Sequence, residues 1–247
     1  MNQGQSAPVA LVTGVGRTEG IGFAVCQLLA QRGLTVLLTA RDEAKAAGVA
    51  QPLADAGLDV RPYALDITDD ASVAQLADAI DRTFGRLDVL VNNAAVMAPW
   101  GELPSSADLG SVQQTLAANL LGPWRVTQAL LPLIRRSPRG RIVNVSSGAG
   151  SHDDPQFGLT TGGGSVASYG VSKAALNALT AKFAAELAGS GILVNAVCPG
   201  FTATAPGMEA MGARPAAESA AGIVWAALLP DGGPSGGFFR DGQPLPW

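Results

Sequence analysis

The residues best suited to chemistry are a tyrosine and a lysine in the segment Tyr169-Gly170-Val171-Ser172-Lys173. Residues four apart share one face of a helix, so the Lys173 ammonium is expected beside the Tyr169 hydroxyl. A positive neighbour stabilises phenolate and lowers the tyrosine pKa from its usual value of about 10. Ser147 follows a predicted strand and adds a second hydroxyl at the carboxyl edge of the sheet. These three side chains predict acid–base chemistry.

The composition excludes several other kinds of site. His152 is the single histidine of the 247 residues, which rules out a multi-histidine metal centre, and no metal site is predicted. The two cysteines, Cys26 and Cys198, cannot form a disulfide framework and are interpreted as small core residues. The net charge is −4 and only 15% of the residues are charged, which argues against a nucleic-acid partner.

The chain also shows no sign of a membrane association. No apolar run approaches the roughly 18–20 residues that a membrane span needs. The start of the chain, Met1–Ser6, is polar and lacks the basic and apolar stretches of a signal peptide. A cytoplasmic location is therefore expected.

Short apolar runs alternate with segments of helical period, which predicts an α/β fold with a doubly wound (Rossmann) parallel sheet of about seven strands and helices on both faces. The predicted strands are Val9–Thr13, Thr35–Thr39, Val60–Leu65, Leu87–Val91, Arg141–Val145 and Ile192–Cys198. The predicted helices are Gly20–Arg32, Glu43–Ala56, Ala71–Phe84, Asp108–Leu133 and Ser168–Leu187. A (β/α)₈ barrel is the alternative, but a glycine-rich turn directly after the first strand favours the open sheet. Residues 1–247 are interpreted as one domain, whose loosest stretches are 151–164 and 231–247.

The glycine-rich turn itself predicts nucleotide binding. It runs from Thr13 to Gly22, between the first strand and the first helix. Glycines let the backbone approach a pyrophosphate, which the free N–H groups and the dipole of the following helix attract. The second strand ends in Ala40-Arg41 rather than in an acidic residue, so a guanidinium is available for a 2′-phosphate, and Arg17 adds a second cation. NADPH is the predicted cofactor; in the alternative, Arg41 pairs with an acidic neighbour on the surface.

Over essentially its whole length, the chain resembles the short-chain dehydrogenase/reductase family. The resemblance rests on ordered motifs: Thr13–Gly22, Leu65-Asp66-Ile67, Asn92-Asn93-Ala94-Ala95, Asn119-Leu120-Leu121-Gly122, Ser146-Ser147, Tyr169 with Lys173, and Pro199–Thr204. It implies that Tyr169 is the general acid, that Ser147 binds the substrate carbonyl and that Lys173 binds the nicotinamide ribose. Asn119 is then expected to hold a water that supplies protons to Lys173.

The same resemblance implies a set of cofactor-binding residues. They are Gly14, Gly16, Arg17, Gly20, Ile21, Arg41, Asp66, Ile67, Asn93, Ala94, Tyr169, Lys173, Pro199, Gly200, Thr202 and Thr204. Within this set, Asp66 is expected at the adenine and Asn93 near the adenosine ribose. Thr202 and Thr204 are expected on the carboxamide and pyrophosphate side.

Three departures from the family pattern bear on function. The turn between Gly14 and Gly20 is longer than usual, a spacing that resembles the enoyl-reductase branch, and Glu19 within it is expected near the phosphates. Ala95 stands where glycine is usual. The Ser147–Tyr169 spacing is also longer than usual, and the surplus falls in 151–164; together with Ala40-Arg41-Asp42 and the chain's ending it resembles the carbonyl-reductase branch.

The predicted function is therefore NADPH-dependent reduction of a ketone or aldehyde, on a small-molecule carbonyl substrate. An enoyl (C=C) reductase and a non-catalytic NADPH sensor are the alternatives, and the choice between monomer and homo-oligomer stays open. Trp100, Phe157 and Met208 are candidates for an apolar substrate pocket, with core or surface packing as the alternative. His152 is expected to be an exposed loop residue, and Ser165 with Ser168 is expected to cap the helix that carries Tyr169.

Overall fold

A computed structural model describes residues 7–205 and 207–247. The polar segment Met1–Ser6, on which the expected absence of a signal peptide rests, lies outside the described residues. In the part that is described, no helix combines the length and the apolar character needed to cross a membrane.

Eight strands in these two ranges form one sheet, in the order β3-β2-β1-β4-β5-β6-β7-β8. Their bounds are Val9–Val12 (β1), Thr35–Ala40 (β2), Val60–Ala64 (β3), Val89–Asn92 (β4), Arg141–Val145 (β5), Leu193–Val197 (β6), Phe238–Arg240 (β7) and Gln243–Pro244 (β8). All neighbours are parallel except β7 and β8, which pair antiparallel. The sheet confirms the predicted doubly wound fold.

Seven α-helices within the same ranges cover both faces of the sheet. They are Ile21–Ala30 (α1), Glu43–Asp55 (α2), Asp70–Phe84 (α3), Leu109–Leu116 (α4), Gly122–Ile134 (α5), Ala167–Glu186 (α6) and Ala216–Ala227 (α7). Helices α1, α2 and α7 pack on one face in a single apolar cluster. Helices α3, α5 and α6 pack on the other face in a second cluster. Every residue of β1, β2, β4, β5 and β6 is buried, as the apolar runs of these strands require.

Three regions differ from the predictions, the first being α7, since no helix was predicted over Ala216–Ala227. The helix expected over 108–133 is two helices joined by a π-helical turn, Ala117–Leu121. The tail 231–247, expected to be loose, contributes β7 and β8. Phe238 and Phe239 are buried in β7, where Phe239 pairs with Val197 of β6. These two aromatic side chains fix the tail to the sheet because their burial removes a large apolar area from water.

Candidate functional site

The predicted site residues meet at the carboxyl edge of the sheet. The strand order reverses between β1 and β4, whose successors run to opposite sides. Ligands of open α/β sheets bind at such a reversal, outside the carboxyl ends of the strands. The glycine-rich turn follows β1 there, and Asn93 and Ala94 follow β4. Ser147 follows β5 and Pro199 follows β6.

Gly14 shows why the turn needs glycine. Its φ of +70° lies in the left-handed region, and a Cβ placed on it would come within 2.6 Å of the Ala94 Cα. The turn therefore passes directly over the end of β4. Helix α1 then begins after Gly20, which has no side chain to cap it, so the first N–H groups of the helix stay available to an anion.

Asn93 holds this turn in place. Its side-chain amide donates to the carbonyl oxygen of Thr13 at 2.8 Å and of Gly14 at 3.4 Å. The Thr13 hydroxyl in turn accepts the backbone N–H groups of Asn93 and Ala94, each at 3.0 Å. These bonds join the ends of β1 and β4. The Asn93 side chain thus stabilises the turn, and its place near a ribose remains a prediction.

Three exposed cations surround the turn. Arg41 has no ion pair among residues 7–205 and 207–247, which argues against its pairing with an acidic neighbour; Asp42 instead accepts the Lys45 N–H and caps α2. The Lys45 Nζ lies 3.8 Å from the point that a Cβ on Gly16 would occupy. Lys45 was not among the cations that the sequence predicted near the turn. Its position in the first turn of α2, four residues after Arg41, could have indicated it. Arg17 packs its side chain against Gly20.

Glu19 does not neutralise these cations. Its side chain is exposed and accepts the Thr18 hydroxyl at 2.8 Å. This hydrogen bond, its own backbone N–H and the charge of Arg17 hold the Glu19 pKa below its usual value. The carboxylate that the longer turn introduces therefore remains in water at the surface.

Asp66 and Ile67 lie just after β3, beside the end of β2. Asp66 accepts the backbone N–H and the hydroxyl of Thr68, at 2.8 and 2.6 Å. These bonds, with smaller contributions from the charges of Arg41 and Arg125, lower the Asp66 pKa. Ile67 is buried and leaves no room for a Cβ on Gly122. Both positions agree with an adenine-side location next to Arg41.

The structure brings together the two residues that carry the predicted hydroxyls. Tyr169 lies in the first turn of α6, and its side chain and that of Ser147 line the same cavity. Burial raises the Tyr169 pKa to about 12, and the Ser147 side chain offsets only part of that rise. The expected lowering of this pKa is therefore not found, because desolvation of the phenolate is the largest contribution and raises the pKa. Tyr169 keeps its proton at neutral pH.

Lys173 lies under the tyrosine ring. Its Nζ is 5.5 Å from the centre of that ring and donates to the Val145 carbonyl oxygen at 2.8 Å. The residue is 2% exposed, and this burial lowers its pKa to about 8. The predicted tyrosine–lysine juxtaposition is therefore present on the helix face where the spacing placed it.

Asn119 lies in the π-helical turn, a type of irregularity that is frequent at functional sites. Its carboxamide accepts the Val96 N–H at 2.8 Å and donates to the Val96 carbonyl at 2.9 Å. It also donates to the Ser172 hydroxyl at 3.0 Å. The fully buried side chain of Asn119 thus connects the segment after β4 with α6. Its contact on α6 is Ser172, the residue directly before Lys173.

The segment Pro199–Thr204 is held by a residue that sequence reasoning missed, Arg214. Its guanidinium donates to the Pro199 carbonyl oxygen and pairs with Asp241 at 2.7 Å. The Thr202 hydroxyl lies 2.7 Å from that of Ser219 in α7. No local pattern around Arg214 indicates this role, because Pro199 and Asp241 lie 15 and 27 residues away along the chain.

A cavity of about 440 Å³ joins the two sets of predicted residues. Ser147 and Tyr169 line it together with Ile21, Pro199, Gly200, Thr202 and Thr204 from the cofactor set. Trp100, Phe157 and Met208 also line it, which confirms them as pocket residues rather than core or surface fillers. None of the described lining residues is Asp, Glu, Lys, Arg or His. His152 is exposed and outside this lining, as expected.

The loop 151–164 forms one wall of the cavity through Gln156, Phe157 and Thr161. Asp154 in this loop is fully buried and pairs with Arg240 of β7 at 2.5 Å. It also accepts the backbone N–H groups of Gln156 and Phe157. Burial would raise the Asp154 pKa, but these two N–H groups and Arg240 outweigh it and hold the pKa below its usual value. The loop is therefore an ordered wall tied to the tail of the chain.

Comparisons with known proteins identify the architecture. The family model described as short chain dehydrogenase matches residues 8–213. (−)-Isopiperitenone reductase of Mentha piperita is 36% identical, with 93% of this chain and 95% of that protein covered. Carbonyl reductase [NADPH] 1 of Sus scrofa is 34% identical, with 97% and 94% covered. The NADPH-bound structure of carbonyl reductase from chicken fatty liver superimposes with a TM-score of 0.84 at 25% identity, covering 98% of this chain and all (100%) of the other.

Proposed function

The chain belongs to the short-chain dehydrogenase/reductase family of oxidoreductases, and we propose that it reduces an uncharged ketone or aldehyde to an alcohol with NADPH. The observation that carries this proposal is that the hydroxyl-bearing residues Ser147 and Tyr169 line one apolar cavity, with the buried Lys173 Nζ 5.5 Å from the tyrosine ring. The family and the two reductases similar to this chain agree with such a reaction.

The two hydroxyls supply what a carbonyl needs as its oxygen gains negative charge. Both can donate hydrogen bonds to that oxygen, and donors already fixed in place stabilise developing charge without reorganising. Tyr169 then gives up its proton to the oxygen as general acid. Its raised pKa keeps the proton in place until negative charge develops on the substrate. The Lys173 ammonium, 5.5 Å from the ring, then stabilises the phenolate that remains.

The residues of the glycine-rich turn fit NADPH, which supplies the hydride when it is bound. Gly14 allows the backbone to turn at φ +70°, and the uncapped start of α1 offers N–H groups to a pyrophosphate. Arg17, Arg41 and Lys45 are exposed around the turn and bear the charge that a 2′-phosphate requires. We assign the 2′-phosphate to Arg41 and Lys45, and the adenine side to Asp66 and Ile67.

Two further assignments belong to this proposal. Asn93 and Ala94 border the adenosine ribose, and Thr202 and Thr204 border the nicotinamide end, where they line the cavity. We treat the whole chain as one catalytic domain, since its site draws on segments from Gly14 to Arg214. The lack of charged side chains around the cavity favours uncharged substrates, because a buried charge without a partner is strongly destabilised.

The decisive experiment measures loss of NADPH absorbance with a panel of ketones, aldehydes, quinones and enones. Reduction of simple ketones or aldehydes, with the alcohol identified as product, is the expected result. Reduction of the enone C=C bond alone would replace this function with that of an enoyl reductase. NADPH binding without turnover of any compound would favour the non-catalytic sensor.

A further inference from the structure

Helix α6, which carries Tyr169 and Lys173, begins without a cap of its own. Its N-cap residue is Val166, whose side chain accepts no hydrogen bond. The expected caps are wrong: Ser165 lies before the N-cap, and the Ser168 hydroxyl is buried without a partner among the described residues. Valine cannot satisfy the orphan N–H groups of the first turn, so another residue must.

Glu102 supplies the missing cap from 66 residues away. Its carboxylate accepts the Ser168 N–H at 2.6 Å, and its backbone carbonyl accepts the Ala167 N–H at 3.3 Å. A carboxylate at a helix N-terminus is favoured by the helix dipole and forms a charge-assisted hydrogen bond. The half-buried Glu102 therefore occupies the position that a local Ser or Asp would normally fill.

The backbone next to this cap is strained. Val166 has φ 49° and ψ 41°, in the left-handed region that a β-branched residue avoids. Such a conformation persists only where the surroundings hold it. The two bonds to Glu102 act on the residues directly after Val166, and Val166 itself lines the substrate cavity.

Glu102 also belongs to a segment that contributes to the wall of that cavity. Met97 and Trp100 of this segment line the cavity, and their side chains are 56% and 69% exposed. The segment is tied to the protein at Val96, through Asn119 and Ser172, and again at Glu102, through Ser168. Met97 and Trp100 therefore lie between two attachments that both lead to α6.

Loss of the Glu102 cap should release this segment rather than the helix. Helix α6 is fixed independently by buried polar contacts: Lys173 donates to the Val145 carbonyl, and Asn144 donates to the Thr180 hydroxyl. The segment 93–107, in contrast, contains neither helix nor strand. Its position over the cavity depends on its few attachments.

We infer that Glu102 is a positioning residue that fixes the Met97–Trp100 wall relative to Tyr169 and so determines how well bulky carbonyl substrates bind. The inference rests on the proposed function and names a specificity determinant of the same site. Substrates large enough to touch Trp100 need the wall in place. Substrates that reach only Ser147 and Tyr169 do not.

The test compares Glu102→Ala and Glu102→Gln with Glu186→Ala, a control at the other end of α6 where the glutamate forms only an exposed 3.9 Å ion pair with Arg135. We expect Glu102→Ala to raise KM for a bulky ketone, acetylnaphthalene, about tenfold, and to change kcat/KM for butanone less than about twofold. Glu102→Gln should recover most of the loss, because its amide oxygen still accepts the Ser168 N–H. Equal losses for both ketones, or no change for either, would overturn the inference.

Hydrogen exchange separates this inference from the proposed function. In the NADPH complex, Glu102→Ala should accelerate exchange of the Ser168 amide, which loses its side-chain acceptor, while Glu186→Ala leaves that exchange unchanged. Unchanged exchange in Glu102→Ala would overturn the cap whatever the kinetics show. If the wild-type protein reduced no ketone, the proposed function would fail, and the accelerated exchange would still establish the cap.

Discussion

The two ends of the site use charge in opposite ways. At the phosphate end, Arg17, Arg41 and Lys45 are exposed and hold their charges in water. At the carbonyl end, Tyr169 and Lys173 are buried, and burial favours the neutral form of each side chain. The tyrosine pKa therefore rises to about 12 and the lysine pKa falls to about 8. Exposed cations can attract an anion while contributing little to the folding free energy of the protein. For a buried ionisable group, a change in pKa is a difference in free energy between its charged and neutral forms. Removing such a group should therefore have a larger effect than removing an exposed one.

The largest effect is expected for Tyr169→Phe at the carbonyl end. The change removes the proton donor and one of two hydrogen-bond donors to the carbonyl, and kcat should fall about a thousandfold. NADPH affinity, measured by fluorescence titration, should stay within about twofold, because the hydroxyl is not needed to bind the phosphates. Turnover at the wild-type rate would remove Tyr169 from the reaction.

Asp154→Ala should produce the next largest effect, on stability. Asp154 is fully buried, and its loss leaves Arg240 and two backbone N–H groups without their acceptor. The free energy of unfolding in urea should fall by about 3 kcal/mol. Asp59→Ala, which breaks an exposed pair with Arg61, is the matched control and should change little. Equal losses in the two variants would contradict the contrast between buried and exposed charges.

The Asp154 carboxylate also predicts that the free energy of unfolding depends on pH in the acid range. The folded pKa of Asp154 lies below its unfolded value, so its contribution to stability is present above the unfolded pKa and is lost as pH falls through the folded pKa. The difference in unfolding free energy between the wild-type protein and Asp154→Ala should therefore shrink as pH falls below about 4. A constant difference down to strong acid would argue against an ionised Asp154.

Lys173 predicts a pH dependence of the same sign at alkaline pH, where stability again rises with pH, because burial destabilises the charged form of this lysine. Between its folded pKa of about 8 and its usual value of 10.5, the unfolded lysine holds a proton that the folded one has lost. Stability therefore rises with pH in this window, by about 2 kcal/mol between pH 8 and 10. Lys173→Met should lack this rise. The measurement is the difference between the two ligand-free proteins in urea, which cancels the opposing contribution of Cys26, whose burial raises its thiol pKa in both chains.

The smallest effects are expected at the phosphate end. Arg41→Ala should weaken NADPH binding about tenfold and NADH binding less than about twofold, since only NADPH carries the 2′-phosphate. Lys45→Ala should act in the same direction with a smaller loss, because an ammonium binds phosphate at a single point. Binding titrations at low and high salt provide the measurement; the losses should shrink in salt. Equal losses for both cofactors would remove Arg41 from the 2′-phosphate site.

Sequence patterns predicted the parts of the site that depend on local spacing. The glycines of the turn, the Tyr169–Lys173 face and the apolar strands each follow from a short segment whose geometry is set by its own residues. Lys45 was within reach of the same reasoning, since it lies in the first turn of the helix after Arg41. The cap at Ser168 was assigned to local serines and is wrong, because Glu102 arrives from another loop.

By itself the sequence indicated the family, through its ordered motifs, and the doubly wound sheet, through its alternating apolar runs and helical segments. It also placed Tyr169 and Lys173 on one helix face, because residue spacing along a helix fixes which side chains share a face. Only the tertiary structure decided the direction of the Tyr169 and Lys173 pKa changes, the Asp154–Arg240 pair, the strands of the tail and the Glu102 cap. Each of these depends on burial or on partners distant in sequence, which no local pattern encodes because desolvation and long-range contacts arise only when the chain has packed.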